Sequence, residues 1–335
     1  MSLKQVAPGG ALRVGVVGAG VMGSNHARVL AGLPGISLTG IVDPLPAHRA
    51  RAEEHVGCRT FEALEQMIAA GVDAVTVAAP THLHHDISLD LIGRGIHVMV
   101  EKPIASTVEE GRAIVDAARQ AGVTLMVGHV ERFNPAVAAV KQAIKGEDIL
   151  SIAITRVGPF PPRMSNVGVV IDLAVHDIDL IRWFTESDIV DVQPQLASAV
   201  AEREDIALLQ FRTASGVLAH INTNWLTPFK ARSVTVATRG KYVMGDLLTR
   251  QVTECFGFKP DGSYSMRHLP VGHDEPLRAE LIAFTDAVRK GKTPAVTGEE
   301  GVASLEIAIR CLDTPARPAN KADKGLDKGL RQVTG

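Results

Sequence analysis

The chain has 335 residues, of which 46% are hydrophobic, and a formal net charge of −2 at pH 7. This length suffices for two domains with a large core, and the near balance of charge argues against a nucleic-acid or membrane-surface partner. No stretch approaches a membrane-spanning helix, and the N-terminus lacks the features of a signal peptide. The cysteines, Cys58, Cys255 and Cys311, are scattered, so neither a disulfide framework nor a metal site is expected. We therefore expect a cytoplasmic protein without a bound metal.

The chain begins with a strand, a glycine turn and a helix. The apolar run Leu12–Val17 predicts a buried strand, and the sequence GAGVMG, a G-x-G-x-x-G turn, follows it directly. In this context Gly18 permits a tight turn, Gly20 lets a pyrophosphate approach the backbone, and Gly23 lets the helix pack on the strand. The phosphates would lie at the helix N-terminus, where unpaired N–H groups favour an anion. The pattern predicts a dinucleotide site.

A second apolar strand, Ile36–Val42, ends at Asp43. This acid lies about 20 residues beyond the last glycine, where a carboxylate accepts hydrogen bonds from a ribose 2′-OH. Because it would repel a 2′-phosphate, NAD is favoured over NADP, and Arg49 would soften that preference if it turned inward. The alternative is that Asp43 is only a turn residue before Pro44.

The α/β alternation continues with a strand over Ala74–Ala79, which ends in Pro80. Three histidines lie among residues 82–85 and suggest a metal site, but no close acidic or cysteine residues complete a ligand set. We favour a site in which Ala79, Pro80 and Thr81 line the cofactor while His84 packs beneath it.

Glu101-Lys102-Pro103 follows the apolar strand Ile96–Val100. The carboxyl edge of an open α/β sheet is where ligands bind, so a lysine there is expected to serve an anion, a polarised oxygen or a transferable proton. A helix over Val108–Gln120 with Thr107 as its N-cap, and a strand over Val123–Val127, complete this half.

Beyond His129 the pattern changes to short β-rich runs, which predict a mostly antiparallel sheet. Three further helices are expected, from Asn134-Pro135 to about Lys145, over Glu275–Arg289, and over Gly298–Cys311 with Thr297 as N-cap; the last two are expected to pack the two domains together. The predicted strands are Ile149–Val157, Ile189–Val200, Ile206–Arg212, Gly216–Trp225 and Ser233–Ala237, with weaker pieces to Phe258.

A helix over Val169–Phe184 interrupts this sheet and is apolar on nearly all sides, so it is expected to be buried. Asp172, His176 and Asp179 nevertheless fall at i, i+4 and i+7, on one face. Oxidation of an alcohol needs a base and a cation near the developing alkoxide: His176 suits the base, Asp172 can orient its ring, and Lys102 can hold the oxygen. The alternative is a mutually satisfied Asp–His pair that only fixes domain packing.

In this order, the glycine turn, Pro80-Thr81-x-x-His84, Glu101-Lys102-Pro103 and Asp172-x-x-x-His176 resemble the glucose-fructose oxidoreductase/inositol dehydrogenase (Gfo/Idh/MocA) family over nearly the whole chain. The resemblance implies an α/β fold with an N-terminal Rossmann doubly wound parallel sheet and a C-terminal α+β domain with a large open, mostly antiparallel sheet. It also implies NAD(P)-linked oxidation of a sugar or polyol, and a homodimer or homotetramer built through the second sheet. We place the domains at residues 1–128 and 129–318, followed by a polar tail at 319–335.

The same resemblance implies the site residues. Lys102, Asp172 and His176 form the catalytic set, and Glu101 lies by the nicotinamide. The predicted cofactor-binding residues are Gly18, Gly20, Val21, Met22, Gly23, Asp43, Ala79, Pro80, Thr81, His84, Glu101 and Lys102.

Two segments, Gly128–Pro135 and Arg156–Arg163, resemble those of UDP-N-acetylglucosamine 3-dehydrogenase-like members of the family. The predicted reaction is therefore oxidation of the 3-hydroxyl of a UDP-N-acetylhexosamine. Arginines bind phosphate oxygens in fork geometry, so Arg156 and Arg163 are candidates for holding a diphosphate; the alternative is that they pair with acids. The predicted substrate-binding residues are Arg156, Arg163, Asn134, Asp172 and His176.

Three other functions stay open at this point. A free-sugar or inositol dehydrogenase of the same family would keep every catalytic residue. A non-catalytic NAD-sensing module would not need a base, so the presence of Lys102, Asp172 and His176 weighs against it. Family members that hydrolyse glycosidic bonds through transient oxidation would use the same NAD site.

Overall fold

The computed structural model describes residues 10–161 and 167–314 of the chain. The predictions for Arg163 and for the polar tail at 319–335 lie outside these residues. Within them, no helix is both long and apolar enough to cross a membrane.

The first sheet is parallel throughout. Its strands are β1 (Leu12–Val17), β2 (Ile36–Val42), β3 (Thr60–Phe61), β4 (Ala74–Val77), β5 (His97–Glu101) and β6 (Leu125–Gly128), in the spatial order β3-β2-β1-β4-β5-β6. The helices of this half are α1 (Val21–Ala31), α2 (Pro46–Val56), α3 (Leu64–Ala70), α4 (His84–Gly93) and α5 (Val108–Ala121). The strand order reverses between β1 and β4, which is where open α/β sheets bind ligands. The predicted doubly wound Rossmann sheet is confirmed.

The reason for this arrangement is visible in the burial pattern. All residues of β4 and β6 are buried, as expected for strands covered by helices on both faces. Helix α5 begins at the predicted N-cap: the Thr107 side chain accepts a hydrogen bond from the backbone N–H of Glu110, and the Glu110 carboxylate accepts from the Thr107 N–H. The buried strands and the Thr107 cap thus place the ends of β1, β4 and β5 together at one edge of the sheet.

The second sheet has eight strands within the described part of the chain. They are β7 (Ile149–Pro159), β8 (Ile189–Ala197), β9 (Ile206–Thr213), β10 (Leu218–Asn224), β11 (Leu226–Thr238), β12 (Lys241–Asp246), β13 (Gln251–Phe256) and β14 (Ser265–Leu269), in the order β14-β13-β12-β11-β7-β10-β9-β8. β7 and β10 pair in parallel, and the other neighbours pair antiparallel. The expected open, mostly antiparallel sheet is confirmed.

The remaining α-helices between residues 129 and 314, as far as the structure describes them, are α6 (Pro135–Ala143), α7 (Val175–Thr185), α8 (Pro276–Lys290) and α9 (Gly298–Asp313). The inner face of the second sheet shares one apolar core with α6, α7 and the C-terminal end of α9. Helix α8 and the N-terminal part of α9 instead contribute to the core of the first sheet. The chain thus returns to its first half after completing the second sheet, and α9 joins both cores. The domain boundary after residue 128, at the end of β6, remains a prediction.

Candidate active site

The glycine turn after β1 has the geometry that a dinucleotide needs. Gly18 has φ +96°, and a Cβ there would lie 2.5 Å from the carbonyl oxygen of Ala78. A Cβ on Gly23 would lie 1.7 Å from the carbonyl oxygen of Gly18, whereas one on Gly20 would meet no atom within 4 Å. The turn is therefore closed at its two ends and open at its centre, where the N-terminus of α1 begins. These residues fit the approach of a pyrophosphate to the backbone.

Asp43 braces this turn from the end of β2. Its Oδ2 accepts a hydrogen bond from the backbone N–H of Ala19 at 2.9 Å, and its Oδ1 accepts from the N–H of Leu45 at 2.9 Å. Burial alone would raise the pKa of Asp43, but these hydrogen bonds and His48, 3.2 Å away, outweigh it and lower the pKa. Arg49 turns toward the same loop and donates to the carbonyl oxygens of Asp43 and Pro44. The carboxylate is thus ionised at the position where a ribose is expected.

His84 links two loops at the carboxyl edge of the first sheet. Its ring is buried, with Nε2 2.8 Å from the carbonyl oxygen of Ala79 and Nδ1 2.9 Å from that of Pro103. Burial lowers its pKa despite these contacts. The neighbouring His82 is exposed and His85 contacts Asp86, and no group of three metal-ligating side chains occurs among residues 10–161 and 167–314. His84 therefore holds the loop after β4 against the Glu101-Lys102-Pro103 loop.

Lys102 connects the two halves of the site. Its Nζ donates to the backbone oxygen of Asp172 at 2.7 Å and lies 3.2 Å from Oδ1 of the same residue. The two side chains are 16% and 23% exposed, so they remain accessible to a small molecule. The structure thus brings the loop after β5 and the segment before α7 into direct contact.

The segment that carries Asp172 is not the regular helix that the sequence predicts. Residues Val170–Ala174 form a π-helical turn, and α7 follows from Val175. The carboxylate of Asp172 contacts Lys102, and Nδ1 of His176 has no hydrogen-bond partner among the described residues. The orienting role expected for Asp172 toward the His176 ring therefore stays a prediction.

The ring of His176 instead contacts another histidine. The centroids of the His176 and His129 rings are 6.2 Å apart, and the rings meet edge to face at 85°. Burial and then the positive charges of Lys102 and Arg156 lower the pKa of His176 well below its usual value. The ring is accordingly neutral near pH 7, which is the state that a base requires.

The third member of the predicted polar face, Asp179, points into an ion pair. Both of its oxygens lie 2.7 Å from the guanidinium of Arg132, and both residues are buried. Arg132 also donates to Glu300 on α9 at 2.7 Å. Asp179 is thus a structural residue that ties α7 to the turn after β6.

Two of the predicted substrate ligands are occupied elsewhere. Arg156 is 2% exposed; its Nε and Nη2 donate to Asp177, and its Nη1 donates to Glu131 at 2.8 Å. Asn134 is the N-cap of α6 through its Oδ1, and its Nδ2 donates to the carbonyl oxygen of Leu247. Because a buried guanidinium or amide must satisfy its donors inside the protein, neither side chain is free for substrate. The prediction that they bind substrate is wrong.

The structure also shows buried residues that sequence reasoning missed. His26 on α1 approaches Glu101, with Nε2 and Oε1 2.9 Å apart. Burial would raise the pKa of Glu101, but the contact with His26 and the charge of Lys102 hold it below its usual value. Glu280 on α8 is fully buried without a hydrogen-bond partner in the described part of the chain, and burial together with the charge of Glu101 raises its pKa well above the usual value. His26 follows the glycine turn closely enough to have been a candidate, whereas nothing in the sequence near Glu280 signals this position.

Comparison with protein families gives two matches along the chain. A family model described as "Oxidoreductase family, NAD-binding Rossmann fold" matches residues 12–129. A second, described as the "GFO/IDH/MocA C-terminal domain", matches residues 149–243. The first match spans the first sheet, and the second spans β7 to β11 and the start of β12.

Curated relatives span almost the full length. The chain is 29% identical over 307 residues to a UDP-N-acetylglucosamine 3-dehydrogenase from Acidithiobacillus ferrooxidans, covering 89% of this chain and 96% of that protein. It is 31% identical over 325 residues to inositol 2-dehydrogenase 4 from Saccharopolyspora erythraea, covering 91% and 95%. A solved structure of the Acidithiobacillus ferrooxidans enzyme superimposes with a TM-score of 0.84 at 26% identity, covering 90% of this chain and 96% of that one.

Proposed function

The chain belongs to the GFO/IDH/MocA oxidoreductase family, and from this premise we propose that it oxidises the 3-hydroxyl of a UDP-N-acetylhexosamine with NAD. It is an NAD-binding oxidoreductase that acts on sugars. The nucleotide sugar and the position of the hydroxyl are our inference, because relatives named as inositol dehydrogenases are equally similar.

The proposal depends most on one observation, the convergence of Lys102 and a neutral His176 at the carboxyl edge of the first sheet. Lys102 would bind the oxygen of the reacting hydroxyl and stabilise the negative charge that develops there. His176 would accept the hydroxyl proton, since burial and the neighbouring positive charges lower the pKa of its ring and keep it neutral near pH 7. Bound NAD supplies the hydride acceptor. Asp172 would hold the Lys102 ammonium in place at 2.7 and 3.2 Å.

The preference for NAD over NADP depends on Asp43. Its carboxylate is kept ionised by the Ala19 and Leu45 N–H groups, so a 2′-phosphate beside it would be repelled. Arg49 does turn toward this loop, but its Nη1 donates to backbone oxygens of Asp43 and Pro44.

The second candidate is oxidation of inositol or a free sugar, favoured by the 31% identity to an inositol 2-dehydrogenase. The full-length protein would be incubated with NAD and, separately, UDP-N-acetylglucosamine, N-acetylglucosamine, glucose and myo-inositol, while reduced nicotinamide is followed by absorbance. We expect turnover of the nucleotide sugar, and a 3-keto product by mass spectrometry and NMR. Turnover of inositol without turnover of the nucleotide sugar would replace the first candidate by the second.

We also propose that the protein forms a homodimer or homotetramer through the outer face of the second sheet. That face carries exposed apolar side chains, including Leu208 (49% exposed) and Leu218 (53% exposed), around a groove of about 640 Å³. Exposed leucines on a sheet face are candidates for contact with a second copy of the chain. A cytoplasmic location is proposed as well, supported by three free cysteines, as expected in a reducing compartment.

A further inference from the structure

Arg232, on β11, lies beside the arginine that the sequence singles out. β11 and β7 pair antiparallel, with Arg232 directly opposite Arg156. Val234 and Val236, two and four residues further along β11, are fully buried. Since side chains alternate along a strand, Arg232 lies on this same inner face, which α7 covers.

The two arginines share one carboxylate but differ in what else they contact. Oε1 of Glu131 accepts from Nη1 of Arg156 at 2.8 Å and from Nη1 of Arg232 at 3.0 Å. Arg156 also forms three contacts of 2.7 to 3.1 Å with Asp177. The contact with Glu131 is the one hydrogen bond that Arg232 makes to another described side chain. Arg232 is thus fixed at one nitrogen and has the other edge of its guanidinium, Nε and Nη2, left over.

This remaining edge is accessible. The side chain of Arg232 is 34% exposed, compared with 3% for Arg156. Burial and the charge of Arg156 lower the pKa of Arg232, which means that its surroundings compensate its positive charge incompletely. A planar Nε–Nη2 edge in that state is a bidentate donor for a phosphate or carboxylate.

The edge is also close to the proposed chemistry. Glu131, which holds Arg232, is two residues from His129, whose ring contacts His176. Asp177, at the other end of the same ion network, directly follows His176. The charge of Arg232 contributes to the lowered pKa of His176, and that of Asp172 acts on Arg232. A group bound at Arg232 would therefore belong to the molecule whose hydroxyl faces Lys102 and His176.

We propose that Arg232 is the residue of this chain that binds the anionic group of the sugar substrate through its Nε–Nη2 edge. The inference builds on the proposed function and identifies the substrate as a sugar that carries a negative charge near the oxidised carbon. The diphosphate of a nucleotide sugar and the carboxylate of a uronic acid share this chemistry. Arg156, which the sequence analysis predicts as a substrate ligand, instead holds the Glu131 carboxylate in the position where it also binds Arg232.

Binding of small anions to the NAD-loaded, full-length protein tests this directly. Isothermal titration with UDP and with D-glucuronate would be compared between the wild type and Arg232→Met, which keeps the length of the side chain but removes all donors. A hydrogen-bonded charge is typically worth a 10- to 100-fold change in affinity, so we expect the dissociation constant of one anion to rise by about that factor. Whichever anion loses affinity shows whether Arg232 binds a diphosphate or a carboxylate of the substrate.

Arg239→Met is the matched control, because Arg239 lies just beyond the end of β11, is 76% exposed and pairs with Asp148. It should leave the affinity for both anions unchanged. Retained NAD affinity would show that Arg232→Met is folded. If Arg232→Met does not fold, Arg232→Lys takes its place: it keeps the positive charge, removes the two-nitrogen edge of the guanidinium and should lose less anion affinity.

The proposal is overturned if the wild type binds neither anion, or if a folded Arg232 variant binds both as tightly as the wild type. These outcomes are independent of the substrate panel, since binding is measured without turnover. An enzyme that turns over only inositol would contradict the nucleotide-sugar assignment, and the titration would still decide whether Arg232 binds an anion.

Discussion

At the scale of single residues, the positive charges around His176 determine the pH range in which it can act as a base. Burial lowers its pKa first, and Lys102, Arg156 and Arg232 lower it further. The neutral ring is the form that accepts a proton, so acidification should inhibit oxidation only below the ordinary titration range of histidine, about pH 6.5.

We predict that kcat/KM for the sugar stays constant as the pH is lowered from neutral, and that it falls only below the ordinary histidine value of about pH 6.5. Arg232→Met removes a positive neighbour, so the pKa of His176 should rise and the acidic limb should move to higher pH. The pH dependence of kcat/KM for both proteins measures this. An acidic limb at the ordinary histidine value, unmoved by the substitution, would contradict the charge environment described.

Glu280 should make folding stability depend on pH. Its carboxyl group is fully buried without a hydrogen-bond partner in the described residues, and burial raises its pKa well above the usual value. A raised native pKa means that the folded protein keeps a proton that the unfolded chain releases, so stability is lost as the pH rises through the native value.

Glu280→Gln should therefore increase the free energy of unfolding near pH 8 and change it little near pH 4, because glutamine has nearly the shape of the protonated acid. Urea unfolding at both pH values measures the difference. Glu54→Gln, at an exposed position of α2, is the control and should show no such dependence. Equal effects of Glu280→Gln at both pH values would rule out the raised pKa.

At the scale of elements, two glycines of the turn meet different requirements. Gly23 lets α1 pack closely on β1, and Gly20 lets a ligand approach the backbone. A Cβ at Gly23 would lie 1.7 Å from the carbonyl oxygen of Gly18, so α1 must shift away from β1 to accommodate it. A Cβ at Gly20 would meet no protein atom within 4 Å, and it would obstruct only a ligand that approaches the backbone.

Gly23→Ala should lower both the melting temperature and the affinity for NAD. Gly20→Ala should leave the melting temperature of the ligand-free protein unchanged and weaken NAD binding alone. Thermal unfolding and NAD titration of the two variants distinguish these effects. If Gly20→Ala bound NAD like the wild type, the pyrophosphate would not approach the turn as described.

Most strands of the first sheet could be predicted because they are continuous apolar runs. β1 and β2 begin and end where the sequence predicts them, at Leu12–Val17 and Ile36–Val42. Helix α2 (Pro46–Val56) was missed, since Ala52 is its one buried residue and its sequence has no apolar periodicity. β14 (Ser265–Leu269) was also missed, because this edge strand is almost entirely exposed and lacks alternation.

Site residues that belong to short sequence motifs could be predicted. Contacts that depend on the pairing of distant strands and segments could not. Lys102 and His176 come from such motifs, and the structure brings both to the same edge. The partner of Asp172 could not be predicted, because its carboxylate contacts Lys102, which lies 70 residues earlier in the chain. Arg232 was missed since its position opposite Arg156 depends on the pairing of strands far apart in sequence.

At the scale of the whole molecule, the described residues leave one face of the second sheet without a covering layer. Its inner face packs on α6, α7 and α9, while the outer face presents Leu208 and Leu218 to solvent. Association of two such faces would bury this surface, and it would leave the site at Lys102 on the other side of the sheet.

We predict that Leu208→Asp combined with Leu218→Asp converts the oligomer into monomers, because each association would bury unpaired charges. Light scattering coupled to size-exclusion chromatography measures the mass. Leu45→Asp, an equally exposed position (53%) in the first half of the chain, should leave the oligomer intact. A wild type that is monomeric at micromolar concentration, or a double variant of unchanged mass, would contradict this interface.

The proposed reaction is tested most directly by following nicotinamide reduction in the wild type and in His176→Gln with UDP-N-acetylglucosamine and NAD. The wild type should form NADH and a 3-keto sugar. The variant should bind NAD with unchanged affinity and react about 10²- to 10⁴-fold more slowly, the usual loss when a general base is removed. Reduction by the variant at the wild-type rate, or no reduction by an NAD-binding wild type with any sugar tested, would contradict the roles assigned to Lys102 and His176.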